Sequence, residues 1–404
     1  MLIVFLVIVL DLIGFGIMVP ILAYYVVQLG GGPELATFCM ALYAIGMFVA
    51  TPILGRLSDF YGRKPILMLS MVGAIIGYLM LGFAQSLWVV ALARLLAGFM
   101  AGNISAAQAY ITDITSEENR ARGMGLIGAA FGLGFVIGPA LGSYLAGDDF
   151  ATANLQLPAM VSAGMAGAAL LAIILLLPES LDPAHKAVAR ARPRIGRLAA
   201  LGALWERPLI PHFLVGVLIY NTGAGLSEAI YPLWVRDTGI AAGPRDLMPL
   251  LLVAGIVLSL VQGGLIGPLT RAFGEHRLFQ LGAMGFALAM VATVVAGEQG
   301  SYYGAMAALA FQSASAALVL TSMQSLVSQC AGPAERGMLL GIYSSAGTLG
   351  RIIGTVLTGV IFARIHIESP YALTALVMLC LVLIARSVEG HWNAQRVIGR
   401  MGPG

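Results

Sequence analysis

The chain has 404 residues, 59% of them hydrophobic and only 10% charged, with a mean hydropathy of +0.92. An ordinary soluble domain carries roughly 25% charged residues, so a water-soluble globular protein is excluded and a polytopic membrane protein is expected. The net charge of +3 is too small to call for a nucleic-acid partner.

Twelve apolar runs follow one another: Leu2–Leu29, Leu35–Leu54, Ile66–Ala84, Leu87–Ile111, Met124–Ala146, Leu155–Leu177, Leu209–Val235, Leu247–Leu269, Leu278–Ala296, Tyr302–Val327, Met338–Ala363 and Tyr371–Ala385. Most reach the ~20 residues a helix needs to cross a ~30 Å hydrocarbon layer. The first run has no basic start and is too long for the apolar part of a signal peptide, so it reads as a retained helix. Because it begins almost inside the bilayer, a tail before Met1 is expected.

With the amino terminus inside, seventeen Lys and Arg fall in inner loops and the C-terminal end, three fall outside (Arg236, Arg245, Arg364), and two lie within helices (Arg94, Arg351). That bias places both termini in the cytoplasm. The basic stretch Glu179 to Arg207 divides the chain into an N-terminal six-helix bundle (1–178), a cytoplasmic linker (179–207), a C-terminal six-helix bundle (208–388) and a tail (389–404). The halves look like repeats: Gly55, Leu57 and Gly62 recur 212 positions on as Gly267, Leu269 and Gly274, and Arg122-Gly123-Met124 recurs as Arg336-Gly337-Met338. Transporters with such halves place their site near the bilayer midplane.

Asp11 stands about 14 Å into the first helix. An ionised carboxylate there costs roughly 2.5–3.5 kcal/mol on insertion scales, so it is a candidate to take up and release a proton. A fixed structural partner is the alternative. Arg94, with Gly98 and Gly102 on the same face of the fourth run, is expected to tune Asp11 from the cavity or else to snorkel to the outer interface. Asn103 and Gln108 follow it as polar cavity candidates. Gly134, Gly138 and Gly142 stripe the fifth run beside Pro139, and Gly255, Ser259, Gly263 and Gly267 stripe the eighth. The two stripes are expected to face each other across the halves, the alternative being neighbours in their own half.

The seventh run carries Tyr220, Asn221 and Glu228 in an interrupted helix with Pro232 near its outer end. Glu228 counts out as an outer-gate carboxylate. Gln312 and Gln324 on the tenth run and Arg351 on the eleventh complete the cavity candidates, with helix-packing contacts the alternative for the glutamines. Cys39, Cys330 and Cys380 are expected as buried packing residues. Five scattered histidines offer no metal-ligand spacing, and no phosphate-cradling glycine loop occurs, so neither a metal, a cofactor nor an ATP-driven pump is expected. No nucleophile–base constellation suggests an enzyme.

With these residues laid out, the chain resembles the major facilitator superfamily, and within it the twelve-helix drug:proton antiporters near the tetracycline-efflux group. Gly55, Leu57, Asp59, Gly62, Arg63 and Lys64 match the loop signature between helices 2 and 3, with Phe60 where a basic residue is usual. Arg94 and Gly98 match the helix 4 signature, with Ala97 for its glutamine. Gly134, Gly138, Pro139 and Gly142 match the helix 5 antiport signature, with Ser143 for its last glycine. Gly77 and Gly285 stand where tetracycline exporters carry aspartates. The resemblance implies that the Asp59–Lys64 loop and Asp113 form a cytoplasmic latch. It also implies two pseudo-symmetric six-helix bundles in a plasma (inner) membrane, exporting a small amphipathic compound against protons as a monomer. A metabolite symporter or facilitator, or a non-transporting sensor, remain the alternatives.

Overall fold

The computed structural model describes residues 1–181, 202, 205, 209–330, 332 and 335–400, with side chains at 117, 118, 120–122, 336 and 393–400 left aside. The linker predicted over 179–207 therefore lies outside the described residues apart from Glu179 to Leu181, Gly202 and Trp205, as do residues 401–404 of the tail.

Where lipid offers no hydrogen bonds, a backbone must satisfy its own, and a continuous helix does this within one segment. Among the described residues, twelve helices long and apolar enough to span a membrane result. They are α1 Leu2–Gln28, α2 Pro33–Tyr61, α3 Arg63–Gly82, α4 Leu87–Ile114, α5 Glu117–Ala146 and α6 Gln156–Leu176. The other six are α7 Ile210–Asp237, α8 Pro244–Phe273, α9 Glu275–Glu298, α10 Tyr302–Gln329, α11 Arg336–Arg364 and α12 Ser369–Arg400. The last runs fifteen residues past the apolar stretch that predicts it, into the segment expected as a tail.

Three spans are discontinuous. In α4 a 3-10 turn at Ala101–Asn103 separates Leu87–Met100 from Ile104–Ile114. In α7 the helix stops at Glu228 and restarts at Tyr231, with Pro232 in the first turn of the second piece, the interruption expected from sequence. In α8 a π-helical turn occupies Val261–Leu265.

The repeat is visible in the pairing. Helix α1 packs on α5 and α6 as α7 packs on α11 and α12, and α3 packs on α4 and α6 as α9 packs on α10 and α12. The matching loop glycines Gly62 and Gly274 both turn the chain at positive φ, +117° and +79°, a region where a side chain is strained. Contacts divide the chain into two compact units, one of 1–193 with 230–255 and one of 194–229 with 256–404. Chain order alone would have kept 230–255 with the second. Within the first unit that segment is tied down by Tyr24, whose hydroxyl donates to the Pro232 carbonyl at 2.7 Å, and by Arg245, whose Nη1 lies 2.7 Å from Asp148 Oδ1.

Two expectations are corrected. The glycine stripe of α5 does not face that of α8: a Cβ on Gly134 would meet Leu12 Cβ at 2.5 Å, on Gly138 the Gly16 Cα at 2.7 Å, and on Gly142 the Ile17 carbonyl at 2.2 Å. Its partner is α1. In α8 Gly255 approaches α5 at Val136, while a Cβ on Gly263 or Gly267 would meet no atom within 4 Å. The cysteines also differ: Cys39 is buried, but Cys330 is half-buried and Cys380 exposed. A lipid-facing surface is already apolar, so an apolar run does not oblige its cysteine to be buried in protein.

Candidate functional site

Helix α5 fixes where Asp11 points. The α1–α5 crossing brings backbones together at Gly16 and Gly138, with Pro139 Cδ about as close, so α1 cannot rotate without collision. On α1 so held, Asp11 Oδ2 accepts a hydrogen bond from Asn103 Nδ2 at 3.3 Å. Asn103 is the last residue of the 3-10 turn in α4. That turn follows Gly98 and contains Gly102, which let α4 press on the α2 backbone at Tyr43 and Ala50–Thr51.

The carboxyl lines a small pocket within the first unit, with about 20 Å³ of space for water. Val4, Val7, Ile8, Leu67, Met71 and Ile127 are among its apolar walls, and Asp11 and Asn103 are its polar groups. The Asp11 carboxyl thus borders a space large enough for a water molecule.

Arg94 is 3% exposed, so it does not snorkel. Its guanidinium lies 4.6 Å over the Tyr43 ring, and its Nε and Nη1 have no hydrogen-bond partner. A desolvated cation–π contact contributes about 2 kcal/mol, which offsets only part of such burial. Asp11 and Arg94 form no direct bond; both lie within electrostatic reach of Tyr43 and Tyr78. Tyr43 and Tyr78, which sequence reasoning did not single out, thus stand near both charged groups. Gln108 is exposed and outside the pocket, with its carbonyl accepting from Thr112 Oγ1 at 2.9 Å. This removes it from the Asp11 group: the face of α4 after the 3-10 turn carries Ile104 and Ala107 inward instead.

At the α2–α3 turn the side chain of Arg63, 8% exposed, gathers the loop. Its Nη1 pairs with Asp59 Oδ1 and donates to Ser58 Oγ at 2.7 Å, and its Nε donates to Asp113 Oδ2 at 3.0 Å. Gly55 is close to Ser105 of α4, and Lys64 Nζ donates to the Ile174 carbonyl at 3.0 Å. All these partners belong to the first unit.

Glu179 is the member that sequence reasoning missed. Its carboxylate accepts from the backbone N–H groups of Arg63 at 2.8 Å and Lys64 at 3.2 Å, at the start of α3, and from those of Ser180 and Leu181. A carboxylate at a helix N-terminus satisfies donors that the helix cannot. Any Cβ on Gly62 would run into that carboxylate. Glu179→Ala is expected to cost about 1–2 kcal/mol, discounted because the carboxylate is exposed. It should lower the melting temperature of the detergent-purified chain while Lys64→Ala leaves it nearly unchanged. Equal melting of both variants would refute the clasp.

In the second unit Arg351 Nη1 donates to Glu228 Oε2 at 2.8 Å. Arg351 is about 22 Å along a helix of about 43 Å, so Glu228 meets it in the body of the span. The carboxylate expected at the outer gate thus reaches an arginine of α11. Tyr220 is buried edge-on against Phe286, Asn221 Nδ2 donates to the Val217 carbonyl at 2.9 Å, and buried Gln312 Nε2 approaches Ser227 Oγ at 3.4 Å. Gln324 is exposed, twelve residues further along α10, and does not join them.

Residues 4–266 and 248–396 match the model of the Major Facilitator Superfamily. The chain is 29% identical to the class C tetracycline resistance protein of Escherichia coli, over 88% of this chain and 87% of that one. It is 26% identical to multidrug resistance protein 2 of Bacillus subtilis (strain 168), over 91% and 89%. Among solved structures, a human organic anion transporter superposes with a TM-score of 0.67 at 20% identity, covering 95% of this chain and 98% of that one. A D-xylose-proton symporter superposes with a TM-score of 0.74 at 17% identity, covering 95% and 96%.

Proposed function

We propose that this chain, which belongs to the major facilitator superfamily, is a secondary transporter that exports a small amphipathic organic compound in exchange for protons. It is an integral membrane transporter and not an enzyme. The observation that carries the proton coupling is Asp11 at membrane depth, bonded to a single amide and open to a pocket. The names of the similar resistance proteins support drug-like cargo, and the α5 glycines Gly134, Gly138 and Gly142 beside Pro139 agree with the antiport resemblance.

In this reading α1 and α4 carry the proton site, and the six-plus-six organisation of 1–178 and 208–388 supplies the moving halves. Arg94 biases Asp11 through Tyr43 and Tyr78. The Asp59–Arg63–Asp113 knot, clasped by Glu179, keeps the inner end of the first half rigid so that it moves as one body. The protein works as a monomer in the inner membrane with both termini in the cytoplasm, as the seventeen-to-three basic bias argues.

The test is purified full-length chain in proteoliposomes with an imposed pH gradient, a panel of amphipathic compounds and a pH-sensitive dye inside. Solute should accumulate on the acidic side while protons leave it. Solute moving with the protons would make the protein a symporter, and flux equal to protein-free vesicles for every compound would make it a sensor.

A further inference from the structure

The Glu228–Arg351 pair in the second unit has no part in the chemistry of Asp11. As a structural tie it is poor. One 2.8 Å bond joins the two groups, and the side chains are 46% and 43% exposed. A pair that open contributes at most about 1 kcal/mol, while holding each charge near the bilayer centre costs roughly 2.5–3.5 kcal/mol. Those charges cannot be turned to lipid, so their open sides must face water or a solute.

Two further observations point to a ligand. The helix that carries Glu228 ends at that residue and restarts at Tyr231, so its last carbonyls lack helical donors; that of Leu226 accepts from Thr358 Oγ1 at 2.6 Å, which leaves those of Ser227 and Glu228 for a solute. Broken helices at membrane depth supply such free backbone groups to solutes, and a helix C-terminus favours positive charge. The crossing that holds the pair is also rigid: a Cβ on Gly225 would stand 2.8 Å from the Arg351 carbonyl, and one on Gly354 2.1 Å from that of Thr222. The two charged groups thus keep a fixed spacing, with Tyr220 buried in electrostatic reach of both.

We propose that Glu228 and Arg351 form a subsite for a zwitterionic head group, with an ammonium and a carboxylate on one small molecule. The carboxylate takes the guanidinium N–H groups that Glu228 leaves free. The ammonium takes the second oxygen of Glu228 and the carbonyls at the end of the broken helix. A ligand with one charge meets repulsion from one member of the pair, or must part them. The inference rests on the transport reading above and names the substrate class of that transporter.

The test measures equilibrium binding to the full chain in detergent, using the fluorescence of Nε-dansyl-lysine, its methyl ester and its Nα-acetyl derivative. These share one apolar body and carry zwitterionic, cationic and anionic heads. The parent should bind the zwitterion at least tenfold more tightly than either other probe. Glu228→Gln and Arg351→Gln should each shrink that preference to within threefold, and the exchange Glu228→Arg with Arg351→Glu should regain part of it. If Arg351→Gln does not fold, the isosteric Glu228→Gln carries the comparison alone. Equal binding of the three probes, a preference unchanged in the variants, or no binding of any probe would overturn the subsite. A preference that persists while no pH gradient drives transport would instead overturn the proton-coupled reading and leave the subsite standing.

Discussion

Asp11→Asn is expected to bring export driven by a pH gradient down to the level of protein-free vesicles, while substrate binding stays within about threefold, under 1 kcal/mol. The substitution keeps size and shape, and its carbonyl oxygen can still accept from Asn103 Nδ2, now at 3.3 Å. It removes only the ability to carry a proton and a charge. Substrate-for-substrate exchange, which needs no net proton movement, should therefore survive in the same vesicles. That pairing of results separates a coupling residue from a structural one, since a damaged fold would lose both. Undiminished proton movement in the variant would take Asp11 out of the mechanism.

Much of this was legible beforehand because membrane insertion leaves strong marks. Twelve runs stand out by hydropathy, and charges within them are few enough that Asp11, Arg94 and Arg351 announce themselves. What they touch was not legible. Arg94 rests on a tyrosine of α2, and the partner of Asp11 is chosen by a 3-10 turn that rotates Asn103 inward and leaves Gln108 out. Uncharged polar residues on an apolar helix carry no label saying which way the helix will twist.

Glu179 was hidden for another reason. Its contacts with Arg63 and Lys64 close over more than a hundred residues and are made to backbone, so no side-chain pattern advertises them. The α5 stripe marks close contact, and of the two neighbours open to it the structure takes the one in its own half. Small residues say that something approaches, not what. The complementary mark was present in Gly16 of α1. In the second half, Gly350 and Gly354 of α11 repeat Gly138 and Gly142 at the offset of 212 already seen in the loops. They press on α7 at the Leu218 and Thr222 carbonyls, 2.2 and 2.1 Å from an added Cβ.

Those crossings make the largest stability prediction. Gly142→Ala should destabilise the chain by about 1–3 kcal/mol or more, because the added carbon would lie 2.2 Å from the Ile17 carbonyl and a backbone oxygen cannot swing aside. Gly350→Ala and Gly354→Ala should do the same in the second half. Gly128→Ala and Gly341→Ala, where nothing lies within 4 Å of an added carbon, should be neutral or slightly stabilising, since alanine is the better helix former by about 1 kcal/mol. Thermal melting in detergent, followed by the loss of a monodisperse chromatography peak, ranks the five. If the crowded and open positions melt together, the α1–α5 and α7–α11 crossings are wrong. Gly134→Ala adds a finer reading, because its carbon would press on Leu12, the residue next to Asp11, at 2.5 Å. Relief there requires α1 to move away or turn, and either motion shifts the carboxyl relative to Asn103. Its proton-driven flux should fall further than its melting temperature predicts, which ties the packing of α5 to the chemistry of α1 rather than to stability alone.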